Sequence, residues 1–275
     1  MTINETTPVL VNTDPGFGIS SKAGRAFSIT GKGGITFTHT GTGAIIGKTE
    51  GVYLNNTTSG DILFTAVGDV QGLGGMGLNV VGGANTGNVT INVGNVESNG
   101  GLLNDAIHIQ HSGTGNVAVT STGTLSGKVN SDGIFIENAA SSQDITVDAN
   151  VIEGTYHGAH LESRGKGAIS LKAASVSAVS QEAITIVHTN AAATGGMTVD
   201  ISGDVTSTGS TGISFTNAAG ATDIHVGGAV NSAGFGVEGV SSGTGDLRVV
   251  IDGKITNGAS QGVQVSNTNV ANTGT

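Results

Sequence analysis

A small residue followed by aliphatic-x-aliphatic returns about every 26 residues along almost the whole chain, and nothing else in the sequence narrows the fold as much. The copies read Gly51-Val52-Tyr53-Leu54, Gly77-Leu78-Asn79-Val80, Ala106-Ile107-His108-Ile109, Gly133-Ile134-Phe135-Ile136 and Gly158-Ala159-His160-Leu161. They continue as Ala183-Ile184-Thr185-Ile186, Gly212-Ile213-Ser214-Phe215, Gly236-Val237-Glu238-Gly239 and Gly262-Val263-Gln264-Val265, with Gly24-Arg25-Ala26-Phe27 as a degenerate first copy. Successive spacings are 27, 26, 29, 27, 25, 25, 29, 24 and 26 residues, so the register survives small insertions.

Two further strand signals follow most copies. The first alternates with period 2, as in Val89-Thr90-Ile91-Asn92-Val93 and Met197-Thr198-Val199-Asp200-Ile201, which marks a half-buried strand. The next is a small residue, any residue and an aliphatic, as in Gly68-Asp69-Val70, Gly94-Asn95-Val96 and Gly203-Asp204-Val205. One such unit cannot bury its apolar face alone, whereas stacked units share a continuous aliphatic column. The expected fold is therefore all-β: a right-handed, single-stranded parallel β-helix, a solenoid of about ten coils with three strands per coil. Coils stacked about 4.8 Å apart give a rod of roughly 43 Å. Residues 1–23 read as a lead-in or cap and 24–275 as the solenoid, which halts in mid-coil at Thr275.

Composition agrees. The chain has 48 Gly and 2 Pro, no Trp, 3% aromatic and 11% charged residues, yet 36% are hydrophobic, so core material is present for many turns around a thin interior. Cysteine is absent, which excludes disulfides and thiolate metal sites and suits export in an unfolded state. A net charge of −10 argues against binding nucleic acid. No run approaches the roughly 18 apolar residues of a membrane span, so no membrane insertion is expected. Met1 to Glu5 has neither a basic start nor an apolar stretch, and no signal peptide is expected there.

The Gly-Ile-x-Ile copies (Gly133-Ile134-Phe135-Ile136 among them), the alternating Thr/Val strands and the Gly-x-Val third strands resemble the passenger domains of type V secretion autotransporters, the pertactin-like adhesins. That resemblance implies translocation through a C-terminal outer-membrane barrel, which this sequence does not contain. It also implies a secreted or surface-displayed bacterial protein, a virulence factor whose partner is a host cell-surface protein or receptor. Some small acidic passengers of this kind are released as host-receptor ligands, pro-angiogenic factors among them.

Aligned coils turn the sequence into surface columns. The x position faces solvent and includes Tyr53, His108, Phe135 and His160, a contact-capable stripe in a chain poor in rings; the structural alternative is ring stacking between coils. The residue before each copy gives Glu50, Met76, Asp105, Asp132, His157 and Glu182, of which Glu50, Asp105, Asp132 and Glu182 are read as a solvated acidic edge with too few oxygen ligands for calcium. His108 with His111, and His157 with His160, are spaced i, i+3, which strand alternation sends to opposite sides, so no metal site is expected. Asn56, Asn138, Asn217 and Asn267 recur after the first strand and read as structural turn residues, with Gly82, His111, Ser163, His188 and Ser241 in their place elsewhere.

Parallel β-helices also include polysaccharide lyases and hydrolases. Asp105 and Asp132 could form a carboxylate pair, but Trp platforms, a cluster of arginines and a long active-site loop are missing. No nucleophile elbow or phosphate loop occurs. The expectation is a non-catalytic binding protein without cofactor or metal, with a passive stalk as the remaining reading.

Overall fold

The computed structural model describes every residue except 14, 15, 102, 103, 259 and 270–275. Among the described residues there is no helix. The chain forms a parallel β-solenoid of about ten turns, because each aliphatic strand finds its only equal partner one turn away. First strands, from Thr2–Asn4 and Phe27–Gly31 through Ile134–Asn138 to Val263–Asn267, assemble in chain order into one 11-stranded sheet. Second and third strands make a 17-stranded sheet. In three neighbouring coils they run on as single long strands, Val117–Gly127, Ile145–Gly154 and Ile169–Ala178.

Register is strict. Ile29, Leu54, Val80, Ile109, Ile136, Leu161 and Ile186 pair in succession and are all 0% exposed, one aliphatic column of the core. Larger rings fill the N-terminal coils, where Phe37 stacks on Phe64 at 5.1 Å and meets the edge of Phe27 at 4.8 Å.

Two readings from the sequence need correction. Phe27 pairs with Val52 and Ser28 with Tyr53, so the first copy is Ala26-Phe27-Ser28-Ile29 and not Gly24-Arg25-Ala26-Phe27. Burial decides this: Phe27 is 2% exposed in the core, while Arg25 lies on the surface at the corner beside Glu50. Residues 1–23, expected as a lead-in, already wind a coil of their own, with Thr2–Asn4, Val9–Asn12 and Ile19–Ser21 pairing in parallel with the coil above.

The corner between a third strand and the next first strand is the tightest part of the coil. Gly47, Gly72, Ser98, Gly127, Gly154, Ala178 and Ser207 line up at the end of the third strands. A Cβ on Gly154 would lie 1.5 Å from the carbonyl oxygen of His157, and one on Gly47 would lie 1.7 Å from that of Glu50. Both corners are short, with three residues between the small positions. A methyl group there must push the corner away from the strand. Gly154→Ala is therefore expected to destabilise the chain by about 1–3 kcal/mol in denaturant unfolding. Gly24→Ala, with nothing within 4 Å of its Cβ, should stay within about 0.5 kcal/mol.

Candidate functional site

The compact corner decides where charged side chains go. Period-2 alternation applies inside a strand, but the residue preceding each small position belongs to the corner before the strand begins. Its side chain and that of the outward residue three positions later therefore meet on one edge. The histidine rings of His157 and His160 have centroids 4.7 Å apart, and His108 reaches Asp105 at 2.7 Å. The expectation that i and i+3 diverge holds for His108 and His111, which share one strand, and fails for His157 and His160, and with it goes the geometric objection to a metal site there.

A histidine–carboxylate ladder results. His108 Nδ1 donates to Asp105 Oδ2, while Asp105 Oδ1 accepts the Asp132 backbone N–H at 2.9 Å. Asp132 Oδ1 in turn accepts the His157 backbone N–H at 2.9 Å and lies 3.1 Å from His157 Nδ1. The other oxygen, Oδ2, is 3.7 Å from His160 Nδ1. On their far sides His157 Nε2 is 3.4 Å from Glu182 Oε2, and His160 Nε2 is 3.1 Å from Glu162 Oε1. Ser210 donates to the second Glu182 oxygen at 2.9 Å.

Rings run beside the ladder. His108 stacks on Phe135 at 4.9 Å with 24° between planes, Phe135 meets His160 edge-on at 5.0 Å, and Tyr156 packs against His157 at 4.6 Å. The four stripe residues are half-buried and in register, with Asn79 between Tyr53 and His108. Tyr53 belongs to a separate cluster lower on the rod. Arg25 pairs with Glu50 and lies over the Tyr53 ring at 4.0 Å, and Asn79 donates to Glu50 at 2.8 Å. The structure thus brings His108, Phe135 and His160 together and leaves Tyr53 apart.

The acidic edge is not solvated as expected. Asp105 and Asp132 are 4% and 5% exposed, and Glu50 and Glu182 are half-buried, because the corner folds them onto neighbouring backbone and imidazoles. Burial by itself opposes a charge on His157, but Asp132 and Glu182 outweigh it and hold its pKa at about 9. Hydrogen bonding from His157 draws Glu182 down to about 2. Burial also works against the Asp132 carboxylate, yet His157 and His160 keep its pKa below the ordinary value.

Sequence reading missed Glu162, Tyr156 and a surface trio in which His225 bridges Asp200 at 2.9 Å and Asp252 at 3.1 Å. Glu162 was findable, since it lies two residues beyond His160 on the same outward face. The Asn column is structural: Asn56 Nδ2 donates to the carbonyls of Ser59 and Gly60 at 2.8 and 3.0 Å, closing the turn. His111 and His188 occupy the same column, 1% and 0% exposed, and burial lowers the pKa of both.

Two predictions follow from these environments. Asp132→Ala strips the His157 backbone N–H and Nδ1 of their shared partner in a buried corner and should cost about 3–5 kcal/mol in denaturant unfolding. Asp148→Asn, at an exposed ion pair with Lys172, should change stability by less than about 0.5 kcal/mol. For the buried imidazoles the folded chain holds the neutral form and the unfolded chain titrates near 6.5. Their contribution to stability is complete above that value and is lost as pH falls through the depressed folded pKa. The double variant His111→Asn, His188→Asn, with the residue native to this column, should therefore keep more of its neutral-pH stability at about pH 5 than the unmodified chain. Denaturation midpoints at the two pH values measure this.

No family model, curated protein or solved structure matches the chain, so the ladder is interpreted on its own geometry.

Proposed function

We propose that this chain is a secreted or surface-displayed bacterial passenger that works by binding a host cell-surface protein or receptor, without catalysis. The observation that carries the reading is the ring stack His108, Phe135 and His160, partly exposed on a parallel sheet with carboxylates alongside. Ordered rings with polar rims give contact area at low entropic cost, which is what recognition surfaces require. The strict coil repeat supports the passenger reading, in which the full-length protein crosses the outer membrane through its own C-terminal barrel. Among the described residues no helix is long and apolar enough to cross a membrane.

The carboxylates favour binding over glycoside chemistry. A hydrolase needs one free acid and one free base flanking a sugar. Here both Asp105 oxygens and both Asp132 oxygens already face N–H groups or imidazole nitrogens of the chain itself.

Capture of labelled protein by cultured host cells, competed by unlabelled protein, tests the proposal. Replacing Tyr53, His108, Phe135 and His160 together by Ser is expected to weaken capture at least about tenfold, or about 1.4 kcal/mol. The column already tolerates Ser at position 214, so the fold should persist, and circular dichroism checks it. Unchanged capture by the variant removes the stripe from the proposal. Depolymerisation of a polysaccharide by the purified chain would replace binding with catalysis.

A further inference from the structure

We propose that Asp132, His157 and His160 form a binding site for one divalent transition-metal ion of the zinc class. Among the described residues, these three each bring a ligand atom within 4.8 Å of the other two. The site is independent of the host-binding reading, although His160 belongs to both.

The donor set fits the ion. Two imidazole nitrogens and a carboxylate oxygen suit zinc and its neighbours, whereas calcium requires six or more oxygens. Zinc bonds of about 2.0–2.1 Å place adjacent tetrahedral ligands about 3.3 Å apart. The two Asp132-to-Nδ1 separations, 3.1 and 3.7 Å, fall on either side of that value. The shorter contact runs from Asp132 Oδ1 and the longer from Oδ2, so the one carboxylate faces both rings.

Orientation of the rings is the stronger argument. Both histidines turn Nδ1 toward Asp132 and Nε2 toward a glutamate, His157 to Glu182 and His160 to Glu162. A metal-bound imidazole characteristically donates its other N–H to a carboxylate, which fixes the tautomer and sharpens the donor. Two rings in the same arrangement around one carboxylate supply that support twice. The His225 trio differs, because Asp200 and Asp252 lie on opposite edges of its ring and cannot converge on one ion.

The site is also held in advance. The Asp132 backbone N–H is tied to Asp105, its carboxylate to the His157 backbone, and Phe135 walls the His160 ring. The His160 side chain keeps 17% exposure, so this edge of the site is open to solvent.

Isothermal titration of the chelator-treated chain with zinc chloride at about pH 7.5, with elemental analysis after dialysis, tests the site. The expected result is one zinc per chain with Kd on the order of 1 µM or tighter. His160→Thr, a residue the next coil already carries at position 185, should weaken binding at least tenfold with circular dichroism unchanged. Glu162→Gln, a positioning residue, should weaken it about 10- to 100-fold. His225→Gln should leave it intact. Cobalt in place of zinc provides a visible spectrum whose intensity changes in the His160→Thr protein. Absence of stoichiometric binding, or equal affinity in His160→Thr and the parent chain, overturns the proposal, and host-cell capture by metal-free protein leaves the host-binding reading to be judged separately.

Discussion

Parallel pairing in strict register is the constraint on which everything else depends. Each residue has as its closest lateral neighbour the equivalent residue of the next coil, about 4.8 Å away. Side chains are therefore selected in columns, and a residue that fits its own coil must also fit the ones above and below. Inside, the answer is aliphatic, with volume traded between levels. Phe215 occupies the core column beside Gly239, where a Cβ would come within 2.5 Å of the ring, and His111 lies over Gly82 in the same manner at 2.6 Å. The irregular glycine at position 239 thus answers the bulk beneath it.

Charge obeys the same column logic by two different routes. On the outward face of the second strands Asp148, Lys172, Asp200 and His225 follow one another, so sign alternates and attraction runs up the rod. The corner column instead places Asp105 directly below Asp132, like charges that would repel in a bare stack. Backbone N–H groups and imidazoles intervene, and burial strengthens those contacts by removing the competing solvent. The corner is therefore dependent on its histidines in a way the alternating face is not.

The sequence made the solenoid legible because its information is repeated: period-2 alternation and a steady return of Gly-Ile-x-Ile survive any one irregular copy. The first coil was illegible for the opposite reason, since Thr2-Ile3-Asn4 carries a single aliphatic residue and Arg25 mimicked a copy two positions early. The stripe's register could be read from the outward x position. Its chemistry could not, because Asp105, Asp132 and His157 lie before the strand, where alternation gives no guide to side-chain direction. A visible clue was the glycine at position 154, where a Cβ would overlap the His157 carbonyl, so that this corner lies tight against the strand.

The x column shows what the core leaves undecided. Tyr53, Asn79, His108, Phe135, His160, Thr185, Ser214, Glu238 and Gln264 occupy equivalent sites with every kind of side chain, so burial of the rod does not choose among them. Strand propensity favours β-branched and aromatic residues in such a column and gives no reason for histidine at two of three successive levels. Three consecutive coils place rings there, and in the same coils the corner supplies carboxylates at fixed distances. Stacking energy accounts for neighbouring rings, but not for the placement of Asp132 between two imidazoles that each lean on a glutamate.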